Sequence, residues 1–423
     1  VISLAKIIVN PKNAPNGEIK ISGSKNSALP ILAASVLCTE PCIIDNVPDL
    51  SDIRNMKELI KNTGLTLSIN KNRYMSETAK EIFPFASYEM TNKLRGSFLI
   101  AGPLLAKTGY AKVAYPGGCH IGERPINLHL KGFSKLGADI TNQNGYIEMK
   151  CERLKGAKIY LDFPSVGATE NIMIAACTAK GVTVIENAAA EPEIEDLAVF
   201  LNKAGANVEG AGTPNIRING VEKLFGCEHT VIPDRIEAGT YMIMAAASNG
   251  KIKLTNIICS HLRPVIEKLR EAGISITERK NYITVEGRLR YNAVDIKTLP
   301  YPGFPTDLQA QFCAFLTRAR GTGIVTETIF ENRFSHIYEF KRMGADITVE
   351  GRSAVIEGVG KLSGAEMRAS DLRAGAALIT AALMADGKSV IEDNGYLDRG
   401  YCDIVGKLKS LGVDIEKDCS AVL

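Results

Sequence analysis

One glycine recurs down the whole chain. It follows an amphipathic stretch and precedes an alternating one at Gly64, Gly137, Gly205, Gly273, Gly344 and Gly412, at intervals of 73, 68, 68, 71 and 68 residues. Near-equal intervals of this size define a repeat, and a repeat constrains the fold more than any local motif. Before the glycine, apolar residues have helical spacing, as in Ile194, Leu197 and Leu201, or Ile404, Leu408 and Leu411. The glycine then falls where a helix ends in a left-handed residue, which costs glycine little. Alternating runs such as 282–286 and 345–349 follow and predict strands. Earlier in each copy lies a stretch rich in Ala and Leu: 28–38, 96–106, 168–179, 238–248, 307–317 and 373–385. These have little polar face and predict helices buried all round. A glycine turn and a strand come next, at Gly181, Gly250, Gly323 and Gly387.

Each copy therefore reads strand, buried helix, strand, amphipathic helix, strand, strand. The chain is an α/β protein of six βαβαββ repeats. Its 423 residues suit two globular domains of three repeats better than an open solenoid. The boundary is expected around 230–234, with one domain over 22–231 and the other over 1–21 plus 232–423. Whether the first strand crosses to complete the other domain is open at this stage.

Composition excludes several classes. Hydrophobic residues make up 45% and charged residues 23%, as in ordinary folded proteins rather than disordered ones. Lys plus Arg number 50 against 47 acids, too balanced for a dedicated nucleic-acid binder. The ten cysteines form no CxxC pair and the five histidines no HExxH, so no metal site is expected. No apolar run reaches the roughly 20 residues that span a bilayer. The first ten residues read as a strand rather than a signal peptide, and a reducing cytoplasm is the expected location.

The chemistry gathers at the starts of the buried helices, where backbone N–H groups and the helix dipole favour anions. Polar residues stand at each: Ser22–Ser27, Asn92–Ser97, Pro164–Thr169, Pro233–Glu237, Gly303–Asp307 and Ser370–Arg373. Lys25, Arg95, Arg235 and Arg373 lie at four of the six. A cation there opposes the dipole, so its recurrence points to a polyanionic ligand between apposed domains; N-capping with ordinary surface charge is the plainer alternative. The second repeat is irregular. Its turn-to-glycine gap is 28 residues against 21–25 elsewhere, and the surplus falls on Tyr115–Pro125, a Gly/Pro-bounded lid-like loop. Cys119 lies in it beside His120 and Arg124, where cations favour a reactive thiolate and Glu123 opposes it. The other cysteines sit mostly in apolar runs and read as inert. Thr306 and Asp307 read equally as a capping pair or as a site for a general base. His129, His229, His261 and His336 show no partner pattern and read as ordinary polar residues.

Pro116–Pro125 (PGGCHIGERP), with Gly23–Pro30, Ser165–Asn171, Glu191–Glu195, Phe304–Asp307, Phe330–Phe334, Asp371–Arg373 and Asp398–Tyr401, resembles the enolpyruvyl transferases, and among them the UDP-N-acetylglucosamine 1-carboxyvinyltransferases. The resemblance covers essentially the whole chain, and the Cys119 loop is its most specific part. It implies a two-domain inside-out α/β barrel with the active site between the domains. It implies transfer of the enolpyruvyl group of phosphoenolpyruvate to the 3′-hydroxyl of UDP-N-acetylglucosamine, with no metal or organic cofactor and no nucleic-acid or membrane partner. Cys119 matches the acid serving C3 of phosphoenolpyruvate and the site of fosfomycin alkylation, and Asp307 the base for the 3′-hydroxyl. Lys25, Arg95, Arg124 and Arg399 match the cations around phosphate and carboxylate, and Asn26 a contact to both substrates. Ser165, Val166 and Gly167 match the diphosphate site. Arg124, Pro125, Ile126, Asn127 and Leu128 match the uridine contact, Ile329 the sugar contact, and Asp371 a further acid. Asn127 stands where Asp is common, and Phe163-Pro164 where some members carry Lys. A transferase acting on shikimate 3-phosphate and a silent UDP-sugar-binding paralogue are the competing readings.

Overall fold

The computed structural model of the protein describes residues 5–77, 81–116 and 126–419. Each recurrent glycine ends an amphipathic helix in the left-handed region, with φ of 98°, 94°, 96°, 92°, 90° and 81° in chain order. The six helices are Ser51–Asn62, Asn127–Lys135, Pro192–Lys203, Arg263–Glu271, Ile337–Arg342 and Ile404–Ser410. Each precedes a strand of its own repeat, so the αL glycine turns the chain from helix into sheet.

Each repeat contributes to one four-stranded sheet with a common order: first strand, second, fourth, third. In the third repeat Lys158–Tyr160 pairs parallel with Val182–Glu186, which pairs antiparallel with Asn215–Asn219, which pairs antiparallel with Asn207–Glu209. One face is apolar: Ile159, Ile185, Ile216, Ile218 and Val208 are buried. That period-2 pattern fixes register, because a one-residue slip would turn these side chains to water.

The sheets of the first, fourth and sixth repeats are completed from elsewhere in the chain. Glu228–Thr230, after the third repeat, pairs parallel with Ile43–Asp45 of the first. Asn16–Lys20 pairs parallel with Lys251–Thr255 of the fourth. Ala5–Asn10 takes the fourth-strand position of the sixth, antiparallel to Ser389–Asp393 and Asp414–Asp418. Two compact units result, residues 5–22 with 233–419 and residues 23–116 with 126–232.

The buried helices are Lys25–Ala34, Ala101–Thr108, Val166–Ala176, Arg235–Ala247, Gln309–Leu316 and Leu372–Ala382. Within each unit three of them pack on one another beneath the sheets, helices inside and strands outside. Every residue from Ile236 to Ala247 is buried, which explains the missing polar face. Two details differ from the sequence pattern. The second and fifth buried helices open with 3₁₀ turns, Arg95–Ile100 and Thr306–Leu308. At the turns before the second strands, the left-handed residue is Asn249 rather than Gly250, and Gly321 rather than Gly323. Gly250 is small for a different reason: a Cβ there would stand 2.6 Å from the Pro15 carbonyl oxygen.

Candidate functional site

In the unit built from residues 233–419, Asp307 sits in the 3₁₀ turn that opens the fifth buried helix. Arg333 Nη2 donates to its Oδ1 at 2.7 Å and Arg373 Nη2 to its Oδ2 at 3.0 Å. Both arginine side chains are 4% exposed, while that of Asp307 is 24% exposed. Arg333 Nη1 also donates to Thr306 Oγ1 at 2.7 Å, and Thr306 donates onward to Glu327 Oε2 at 2.8 Å. Glu327 is buried and accepts further bonds from Thr298 Oγ1 and from the Ile329 and Phe330 N–H groups. Two guanidinium groups and two carboxylates thus balance within one hydrogen-bonded chain, the condition under which buried charge is tolerated. Burial works against the charge of Arg373, but Asp307 and Tyr401 outweigh it and raise its pKa.

Asp371 caps the sixth buried helix, accepting from the Arg373 and Ala374 N–H groups at 2.8 and 3.0 Å. Asp234 caps the fourth in the same way, through Ile236 and Glu237. Arg235 lies over the ring of Tyr301, 5.5 Å from its centroid. Arg399 ends the turn Leu397–Arg399, which Asp393 holds by accepting from the Tyr396 N–H at 2.8 Å. Ile329 is half-buried, its N–H on Glu327.

In the other unit Lys25 is the first residue of its helix and is 9% exposed. Its Nζ donates to Asp52 Oδ2 at 3.1 Å. Asn26 is half-buried, and Pro30 four residues on has no N–H for its carbonyl. Arg95 opens the turn Arg95–Ile100. Ser165, Val166 and Gly167 form the half-buried start of the third buried helix, where Ser165 Oγ accepts from the Ala168 N–H at 3.4 Å, a weak cap. Ile126 is buried, and Asn127 and Leu128 open the helix Asn127–Lys135. Cys119, Arg124 and Pro125 lie outside the described residues.

Three groups were given no functional role in the sequence reading. Asn171 accepts from the Gly102 N–H through Oδ1 at 2.8 Å, which fixes its amide. Its Nδ2 therefore donates, to Phe98 O at 2.8 Å and to His129 Nδ1 at 3.1 Å. His129 Nδ1 is then an acceptor, and a neutral ring carries its proton on Nε2. Burial lowers the His129 pKa to about 4, which keeps it neutral. A Cβ on Gly167 would stand 3.5 Å from that Nε2, so the imidazole borders the helix start. The second group is Arg333, inside a quoted motif but given no role. The third is Glu327, for which no sequence signal existed. Two of the cationic helix starts carry a carboxylate partner in this structure: Arg373 pairs with Asp307 and Lys25 with Asp52. Among the described residues no group of three or more His, Cys, Asp or Glu could hold a metal ion. None of their helices is long and apolar enough to cross a membrane.

The sequence matches the EPSP synthase (3-phosphoshikimate 1-carboxyvinyltransferase) family over residues 9–408, so the chain belongs to this family of enolpyruvyl transferases. Among solved structures it is similar to the enolpyruvyl transferase NikO from Streptomyces tendae, with TM-score 0.88 and 22% identity over 98% of this chain and 99% of that one. EPSP synthase from Acinetobacter baumannii matches with TM-score 0.78 and 20% identity over 98% and 100%. At such identities the likeness establishes the fold alone, and it is the two-domain inside-out α/β fold that the family resemblance implies, with the six repeats read from the sequence. Curated relatives resolve the branch. UDP-N-acetylglucosamine 1-carboxyvinyltransferase 1 of Caldanaerobacter subterraneus subsp. tengcongensis is 56% identical over 97% of this chain and 99% of its own. The enzyme of that name from Halalkalibacterium halodurans is 51% identical over 98% and 94%. UDP-N-acetylglucosamine 1-carboxyvinyltransferase 2 of Clostridium tetani is 53% identical over 97% and 99%.

Proposed function

We propose that the protein transfers the enolpyruvyl group of phosphoenolpyruvate to the 3′-hydroxyl of UDP-N-acetylglucosamine, releasing phosphate. A proton goes to C3, the sugar oxygen bonds to C2, and a tetrahedral ketal forms. Loss of phosphate and of a C3 proton then restores the double bond. Cys119 is the acid for C3 and Asp307 the base for the hydroxyl. Both Asp307 oxygens accept guanidinium N–H groups, which fixes the orientation of the carboxylate. Lys25, Arg95, Arg124 and Arg399 hold phosphate and carboxylate, and Asn26 touches both substrates. The helix start Ser165–Gly167 takes the diphosphate. Arg124 through Leu128 lie along the uridine, Ile329 at the sugar, and Asp371 is a further acid of the site. We place this reaction in the cytoplasm, as the first committed step of peptidoglycan synthesis on which cell shape and division depend.

The observation that carries the reading is Asp307: a partly exposed carboxylate with both oxygens fixed by buried arginines, in a chain whose relatives bear the name of this activity. The test is phosphate release from phosphoenolpyruvate with UDP-N-acetylglucosamine as acceptor. Cys119→Ala should abolish release while leaving UDP-sugar affinity nearly intact. Fosfomycin should add to Cys119, seen by intact mass with the UDP-sugar present. Release with shikimate 3-phosphate instead, or UDP-sugar binding without turnover, would overturn the reading.

A further inference from the structure

Cys38 and Cys42 meet a cysteine distant in sequence, Cys227, at the seam where Glu228–Thr230 closes the sheet of the first repeat. Glu228 pairs with Ile43 in parallel register, and the Ile43 N–H donates to the Cys227 carbonyl at 2.9 Å. Cys42 and Cys227 stand one residue earlier, side by side on neighbouring strands. Side chains at matched positions of parallel strands leave the same face, and neighbouring strands run about 4.8 Å apart. That spacing lies within the Cα separation a disulfide accepts, about 4.4–6.8 Å. The Cys42 thiol acts electrostatically on the thiols of both Cys38 and Cys227. Cys38 lies at the far end of the seam, opposite Leu224.

Access differs among the three. Cys42 is fully buried and Cys38 nearly so. Cys227 is half-buried and lines an open groove of about 390 Å³ with Glu40, Pro41, Gly226 and Glu228. Two ammonium groups flank the seam: Lys107 Nζ lies 3.3 Å from the Cys38 carbonyl, and Lys203 Nζ lies 3.2 Å from the Glu228 carbonyl. The three thiols compete for one charge: Cys227 and Cys38 lower the pKa of Cys42, while Cys42 and burial raise those of Cys227 and Cys38. An accessible thiol beside a buried one is the arrangement of an attacking and a resolving cysteine.

We propose that Cys42 and Cys227 form a reversible disulfide that fastens the exchanged strand Glu228–Thr230 to the first repeat. The oxidant is a small-molecule disulfide. The Cys227 thiolate attacks one of its sulfurs, forming a mixed disulfide and expelling one thiolate. Cys42 thiolate then attacks the Cys227 sulfur and expels the second. The two protein thiols lose two electrons and two protons, and the small disulfide becomes two thiols.

The test exposes the full-length protein to glutathione disulfide, blocks remaining thiols with iodoacetamide, and maps peptides by mass. A peptide cross-linked through Cys42 and Cys227, lost on adding dithiothreitol, is expected. Cys42→Ser should trap glutathione on Cys227. Cys227→Ser, at a half-exposed position away from every residue placed in the proposed site, should prevent the cross-link and keep turnover. The closed ring runs from residue 42 to 227, so oxidation should raise the melting temperature of the native sequence but not of Cys227→Ser. Alkylation of Cys227 after oxidation, or a Cys38–Cys42 cross-link in its place, would overturn the proposal.

Discussion

In the unit built from residues 233–419, two buried helices begin on aspartate caps, Asp234 and Asp371, and the third opens with a turn holding Asp307. In the other unit the matching starts carry Ser24, Leu94 and Ser165. Ser24 makes no capping bond and Ser165 only a long one. A carboxylate cap occupies the first N–H donors and neutralises the local dipole, so an anion gains little there. Weakly capped starts leave those donors to a ligand. The same repeat thus gives one unit that supplies oriented carboxylates and guanidinium groups, and another whose helix ends suit phosphate.

Asp307→Ala should produce the largest effect. It leaves Arg333 and Arg373 buried without their shared counter-ion, a change that costs about 3–5 kcal/mol when one partner of a buried pair is lost. Denaturant unfolding should show that loss, and phosphate release should fall at least about a hundredfold, the usual contribution of a positioned acid–base group. Unchanged stability would mean that the two arginines find other anions, and the contrast between the units would weaken.

Acid should act on both units, through His336 in one and His129 in the other. Burial lowers each pKa to about 4, with Asp371 opposing and Arg333 assisting at His336. Between about 6.5 and 4 the unfolded chain binds more protons, so stability falls as pH drops through that window. Each histidine contributes at most about 1.4 kcal/mol per pH unit. Urea unfolding at pH 7.5 and 5 should show the fall, and His336→Gln or His129→Gln should each flatten part of it. Glu170 works in the other direction. Burial, then Glu193 and Glu191, raise its pKa well above the usual value. Its contribution is full below about 4.5 and is lost as pH rises. Glu170→Gln should therefore stabilise the protein more at pH 8 than at pH 5.

The frame of this fold was readable because it depends on local physics repeated six times. Gly205 and its five equivalents need the left-handed region, and only the helix-to-strand turn explains that spacing. The strand exchange was not readable. Glu228–Thr230 is three residues long, and nothing within it distinguishes a partner in the first repeat from one in the fourth. Asn46, Asn187 and Asn256 escaped notice for a related reason. Each is left-handed after a second strand and donates from Nδ2 to a backbone carbonyl beside the first strand: Val231, Leu161 and Ile21. The repeat of the asparagine was visible, but its partner comes from another segment. Asp307 stood out as an acid at a helix start. Its pairing with arginines did not: Arg373 stood out only as a cation at another helix start, and Arg333 and Arg373 reach Asp307 from 26 and 66 residues away. Cys42 and Cys227 read as inert singly, since their adjacency exists only in the paired register.

The smallest predicted effect is the most direct test of the difference between the units. Asp371 caps with bonds of 2.8 and 3.0 Å, Ser165 with one of 3.4 Å. Replacing a well-bonded cap by alanine costs about 1–2 kcal/mol, and a weak one about 0.5 kcal/mol or less. Asp371→Ala should therefore lower unfolding free energy more than Ser165→Ala does. Calorimetric titration with UDP should sharpen the contrast. Ser165→Ala removes a hydroxyl from the helix start assigned to the diphosphate, and should weaken UDP binding several-fold at almost no cost in stability. Asp371→Ala should leave UDP affinity close to native. If Ser165→Ala proves the more destabilising of the two and binds UDP normally, its hydroxyl serves the helix rather than a ligand. The division of labour between carboxylate-capped and open helix ends would then fail.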